Sequence, residues 1–524
     1  MNYPVWELPM GGGVLIAVVS ILHVFVSHFA IGGGLWLVVT EMRANRNRDL
    51  DLRAFVKRHS RFFLLLTLVF GAISGVGIWT TIGLVSPHGT SALIHGYVWG
   101  WAMEWVFFFI EIAAAIVYYY GWDKLNTNVH EAIGWIYFGA AFISLVIING
   151  IITFMLTPGG WLENQNFWTG FFNPTYWPSL VIRTFAGTAI AGMFTLLTAA
   201  NLARGNFRGR VTRWNAGWAF FSMLGVIGGA FWYKSAIGVW DANEALLGAI
   251  PVLPVVAGYF KIGLIITTAL AVIPLLVPKL WNKGLVAVLL IVGLMTMGAG
   301  EWLREAGRKP FVINGYMYST GMLVSDTARV EDAGMAASAR WISPEAATSE
   351  VRLGHDLYLA YCQVCHTMDG YNGLRPFLAQ WDEETVASLV PLTGHMRALM
   401  PPWYGTEEEN AALTAYLMTE KPPEPGLWPA DPVAAEQLAW DISCGLCHTV
   451  SGFRPLIDSF AGQSPEEIDG FLDESGDIVD EMPAYFGTAE QRAALVRFLH
   501  KMNPPEGAGD QAAARPGGNE GRDS

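Results

Sequence analysis

Residues 22–41 read LHVFVSHFAIGGGLWLVVTE. About 20 apolar residues cross the hydrocarbon core of a bilayer as a helix, and this stretch qualifies while carrying His23 and His28 inside it. An ionisable side chain in lipid is costly and points to function by default. Working outward, comparable stretches recur, giving spans at about 11–40, 62–84, 96–120, 131–156, 178–200, 215–238, 252–275 and 284–303. A hydrophobic content of 52%, a mean hydropathy of +0.35 and 22 tryptophans suit a membrane protein with aromatic residues at its interfaces.

Charge divides the chain near residue 325. The first part holds 20 Lys+Arg against 13 Asp+Glu and the rest 12 against 32, so net charges of +7 and −20 make up the total of −13. Basic residues concentrate in EMRANRNRDLDLRAFVKRHSR and NLARGNFRGRVTR, whereas 85–95, 157–177 and 239–251 contain none. Cytoplasmic loops collect Lys and Arg, so the N-terminus faces outward and eight crossings return the chain to that side. The N-terminal stretch lacks a basic n-region and a small-residue cleavage site, and is read as a retained first span.

All four cysteines lie in two pentads, CQVCH at 362–366 and CGLCH at 444–448. Cys-x-x-Cys-His supplies two thioether positions and an imidazole ligand for a covalent haem c, here Cys362, Cys365 and His366, then Cys444, Cys447 and His448. The surroundings repeat: 34 residues separate His366 from Met400 and His448 from Met482, each methionine followed by proline. Met400 and Met482 are therefore the expected second axial ligands, with His395 and Met396 as nearby competitors in the first module. A Tyr-Gly-Thr or Phe-Gly-Thr turn and an amphipathic helix follow each methionine. Over 350–421 and 433–502 these features resemble class I cytochromes c. The acidic surface is either a plain solvated face or a dock for a basic soluble cytochrome; no nucleic-acid partner is expected.

The remaining ionisable residues of the spans are few. Glu104 and Glu111, seven apart, share a helix face at different depths, an arrangement that can relay protons or ligate a high-spin haem. Glu301 and Glu305, four apart, also share a face, and spacing leaves solvated and functional roles open. His28, five residues from His23, points elsewhere on its helix; it either ligates another haem or is a hydrogen-bonded core histidine. His88 and His95 fall on an outward loop and His59 and His130 at inner helix ends, where exposure is the plain expectation.

The membrane part resembles subunit I of the cytochrome bd oxidases. The motifs are LHVFVSHFAIGGGLWLVVTE, EWVFFFIEIAAAIVYYYGWDKL, IINGIITFM, NPTYWPSLVIRTFAGTAIAGMF and EWLREAGRKPFV, in the family's order over about 10–312. The resemblance implies that His23 and Glu305 ligate iron in the paired high-spin haem region. It implies that Glu111 and Glu104, the latter one residue out of register, serve the haem site or its proton path. It also implies one or more haem b or d, and a second membrane subunit beside this one. Where the family holds a low-spin haem b between a histidine of the fifth helix and a methionine of the seventh, this chain has Arg183 and Gly263. The long outward loop that holds quinol in the family is replaced by GVWDANEALLGAI.

The expected fold is all-α: an eight-helix transmembrane bundle (1–312), a linker (313–349), two cytochrome c modules (350–425 and 426–503) and a disordered tail (504–524). The expected setting is the bacterial inner membrane with the haem c region in the periplasm. Three functions compete. The first is a bd-type oxidoreductase reducing O2 with electrons from a soluble periplasmic carrier through two haem c. The second is a quinol- or quinone-reactive subunit. The third is an electron-conducting subunit of a larger respiratory complex.

Overall fold

The computed structural model describes residues 5–237, 250, 252–397, 400–423, 428–450, 453–456, 459–478 and 482–502. The expected short connection after the sixth span and the expected tail at 504–524 fall outside these residues, apart from Ile250.

Among the described residues eight helices are long and apolar enough to cross a membrane: Gly12–Arg46, Leu50–Val85, Val98–Gly121, Thr127–Phe154, Tyr176–Ala200, Asn206–Ile237, Val252–Leu276 and Lys283–Ala306. They match the eight expected spans, and the chain is a multi-pass membrane protein. The first, second and sixth run further than hydropathy marks, because their basic ends continue as helix beyond the apolar stretch. Asp49 caps the second span by accepting from Leu52 N at 3.0 Å. A π-helical stretch at Leu65–Gly71 interrupts that span.

The first span is the hub of the bundle, packing on the second, fourth, fifth and eighth. Glycine makes the closest of these approaches possible. A Cβ built on Gly32 would sit 2.0 Å from the Gly187 carbonyl oxygen, so the first and fifth spans meet backbone to backbone. Large apolar side chains such as Trp99, Phe109, Ile265 and Met295 face outward, as a lipid-facing surface requires.

The loop expected at 85–95 is instead a helix, Pro87–Gly96, with proline at its first position, where a missing N–H costs nothing. The region 157–177 also holds short helices, Trp161–Asn164 and Phe167–Phe171.

Beyond the bundle, the segment expected as a linker is folded. A two-stranded antiparallel ribbon, Phe311–Ile313 with Met317–Tyr318, leads to short helices, and Met322, Val330 and Met335 form a small core with Leu357 of the first module. Each module has its own core, one around Tyr358, Leu378, Leu413 and Leu417, the other around Trp440, Phe460, Ile468 and Leu495.

Candidate functional site

Both Cys-x-x-Cys-His pentads adopt the same local structure. His366 N and His448 N each donate to the carbonyl of the first cysteine, at 2.9 Å in both, which closes one turn. Six residues after each histidine comes a residue with left-handed backbone, Asn372 (φ 52°) and Arg454 (φ 42°). Its carbonyl takes the Nδ1 proton of the imidazole, at 3.1 Å for His366 and 3.0 Å for His448. The hydrogen bond fixes the ring and leaves Nε2 as the ligating atom, the arrangement that orients metal-bound histidines generally. Burial holds both imidazoles below the usual histidine range, so they are neutral at pH 7 and able to bind iron. None of the four cysteines is paired in a disulfide. Burial pushes Cys362 up to about 12 and Cys444 to about 11. These donor sets fit haem c. Met400 and Met482 are both half-buried on irregular chain ahead of the closing helices.

The closing helices repeat as well. Thr406 Oγ1 accepts from Glu409 N while the Glu409 carboxylate accepts from Thr406 N, a reciprocal cap on Glu407–Thr419. Thr488 and Gln491 make the same exchange at the start of Ala489–Met502. Glu409 has a second task, accepting from Met335 N at 2.9 Å and Ala336 N at 2.7 Å, which ties the 313–349 segment to the first module.

In the bundle, Glu104 and Glu111 both face the fourth span, as their spacing required. Ser144 Oγ donates to Glu104 at 3.0 Å and Tyr137 Oη to Glu111 at 3.0 Å, so a seven-residue step on one helix meets a seven-residue step on its antiparallel neighbour. His23 Nδ1 lies 3.1 Å from Ser74 Oγ. His28 is buried at 2% exposure and its Nδ1 donates to the Val24 carbonyl at 2.8 Å. In both, Nδ1 is engaged, which leaves Nε2 as the nitrogen that would face a bound haem. Glu305 is paired with Arg304 and Arg308 rather than with His23.

The two positions that the resemblance implies for low-spin haem ligands make other interactions. Arg183, 7% exposed, forms an ion pair with Glu301 at 2.9 Å, and Arg304 holds the other Glu301 oxygen at 3.1 Å. A Cβ on Gly263 would lie 2.3 Å from Thr296 Oγ1, so the seventh and eighth spans touch where a methionine would need volume. These residues do not fit a histidine–methionine haem.

Two expectations of exposure fail. His59 is fully buried among Phe29, Trp36 and Phe62 with Nδ1 2.8 Å from Thr198 Oγ1, and its Nε2 has no partner. His130, 3% exposed, lies between Tyr118 and Trp122, with Nδ1 2.7 Å from Glu41, which also accepts from Tyr118 Oη at 2.7 Å. Aromatic packing at the helix ends shields both rings from water. His88 is partly covered by the turn at Gly321, while His95 is exposed. Glu41, the last residue of the motif that opens the bd-like resemblance, is 1% exposed because the helix runs on past the apolar stretch to Arg46. Among the described residues no group of three or more His, Cys, Asp or Glu is placed to hold a bare metal ion.

Two stretches of the chain match known families. Residues 14–232 match the family of cytochrome bd terminal oxidase subunit I, and residues 349–417 match subunit III of cbb3-type cytochrome c oxidase. The structure of bd oxidase from Geobacillus thermodenitrificans superimposes with a TM-score of 0.51 at 15% identity, covering 60% of this chain and 91% of that one. That likeness is one of fold. No curated protein matches the chain.

Proposed function

Taking the chain as a membrane haem oxidoreductase that joins a cytochrome bd subunit I domain to a cytochrome c domain, we propose that it reduces dioxygen with electrons delivered through its c modules rather than by quinol. The observation that carries this is the Arg183–Glu301 pair together with the Gly263–Thr296 contact, which fill the low-spin site implied by the resemblance. Electrons then need another port, and the two pentads supply one. Cys362, Cys365, His366 and Met400 would hold one covalent haem c; Cys444, Cys447, His448 and Met482 would hold the other. His23, with Glu305 and His28 as further ligands, would hold haem b or d in the bundle.

Haem supplies the redox chemistry and an open iron position for dioxygen, which takes four electrons and four protons to give two waters. The chain's own part is to place and protonate. Glu104 on Ser144 and Glu111 on Tyr137 form two rungs of polar groups between the third and fourth spans, spaced to pass protons along the bundle. The basic connections lie at the opposite end of the bundle from the c modules, which supports a periplasmic site for the modules and a cytoplasmic source of protons. A soluble carrier, a basic cytochrome suited to the acidic modules, would donate the electrons. The outward apolar faces leave room for lipid and for a second membrane subunit.

An oxygen electrode tests this on purified, spectrally characterised protein given reduced cytochrome c or a quinol. Oxygen uptake with the cytochrome is expected. Uptake with quinol alone would overturn the electron port, and no uptake with either would overturn the oxidase.

A further inference from the structure

We infer that the two c modules work in series, with the first as the inner relay, seated on the bundle by Lys309 and the segment before the first span, and the second as the outer entry. The inference rests on the proposed flow of electrons from the c modules to the bundle, and adds its order and the residues that fix it.

The first pentad is clamped from the bundle side. Gln363, inside CQVCH and 5% exposed, donates through Nε2 to the Trp6 carbonyl at 2.7 Å, while Trp6 N donates to the carbonyl of Leu84 at the end of the second span at 3.2 Å. Built Cβ atoms on Gly11 and Gly370 would lie 2.8 Å from Thr367 Cγ2 and 2.9 Å from the Pro9 carbonyl. The chain entering the first span therefore lies against both flanks of His366. That span carries His23 eleven residues beyond Gly12, about 16 Å along a helix rising 1.5 Å per residue.

From the other side, Lys309 reaches the second cysteine, its Nζ 3.6 Å from Cys365 Sγ. Lys309 comes four residues after Glu305, so one short segment touches a candidate ligand of the bundle and the attachment point of the first module. A fixed positive charge there favours the reduced state of a centre bound at Cys365.

The second module is attached to the first. Arg397 N donates to the carbonyl of Leu446, inside CGLCH, at 3.0 Å, and Arg454 Nη1 to the carbonyl of His395 at 3.0 Å. Trp381 Nε1 donates to the Ile442 carbonyl at 3.1 Å. The second pentad thus borders the loop that leads to Met400, and the first borders the bundle. Each electron leaves a reduced one-electron haem protein docked at the second module, which departs oxidised, and moves inward to dioxygen as the terminal oxidant.

The test uses the full-length, haem-loaded protein in detergent. Spectroelectrochemical titration of Lys309→Gln and Lys309→Glu is expected to lower the potential of one c centre, more for glutamate, and leave the other unchanged. A Cys444→Ser, Cys447→Ser background assigns the shifted centre to the first module. In rapid mixing with reduced cytochrome c, Gln363→Leu, which cannot donate to the Trp6 carbonyl, should leave reduction of both c centres at its original rate and slow reduction of the bundle centre tenfold or more. Unshifted potentials in Lys309→Glu, or a shift confined to the second module, would overturn the assignment, as would bundle reduction at the original rate in the seat variant. If the bundle centre of the unaltered protein takes no electrons from the c centres, the proposed function itself has failed, a result distinct from an unaltered protein that transfers and variants that transfer equally well.

Discussion

The c modules and the bundle place their chemistry in opposite ways. In each module the attachment cysteines and the proximal histidine fall within five residues, and a single turn arranges them, with the carbonyl six residues on holding the ring. In the bundle His23, Glu111 and Glu305 come from three spans, and each has its own partners: Ser74, Tyr137, and Arg304 with Arg308. Chemistry carried by a local motif survives transplantation and duplication, as the second module shows. Chemistry distributed over spans depends on positions far apart in sequence, such as Arg183 and Gly263, which here make other contacts.

The comparison can be broken most severely at the pentads. Cys362→Ser with Cys365→Ser is expected to remove one of two covalent haems outright and leave the other, read by haem staining and by the pyridine haemochrome ratio. Retention of both would refute independent modules. Replacing Met400 or Met482 by Ala should change the redox spectrum of one c centre at a time.

A smaller but still large effect belongs to the bundle. Glu301→Gln strips Arg183 and Arg304 of their shared counter-charge, and removing one member of a buried ion pair costs about 3–5 kcal/mol. Thermal unfolding in detergent should register that loss with both c centres spectrally intact. Placing histidine at 183 alone should not create a low-spin centre, because Gly263 still meets Thr296; a new low-spin spectrum would show that the site is open after all.

The finest distinction separates the two caps. Loss of a capping side chain costs about 1 kcal/mol, the expectation for Gln491→Ala. Glu409→Ala should cost more, about 2–3 kcal/mol, since it also abandons Met335 N and Ala336 N. Denaturant unfolding of the full-length variants compares them, and equal losses would mean that the 313–349 segment is held by its apolar contacts alone.

How much of this was legible follows from the same contrast. Eight spans, both pentads and the repeated closing helices were readable because apolar length, motif and spacing are local signals. The Thr-x-x-Glu and Thr-x-x-Gln signatures of the caps were equally available at 406–409 and 488–491. What sequence could not supply was pairing over distance. Arg183 was visible as a missing ligand, but its partner Glu301 lies on another span. His59 and His130 looked exposed because helix ends usually are, and only the packing of Trp36 and Trp122 makes them interior. The contact of Lys309 with Cys365 joins segments that no periodicity relates.

The seat of the first module is built from the two ends of a long reach, Trp6 and Gln363 being 357 positions apart. Its two halves can meet only after every intervening span has been inserted. Docking of the module therefore reports on the whole bundle: a chain whose spans had mis-threaded would leave Gln363 without the Trp6 carbonyl.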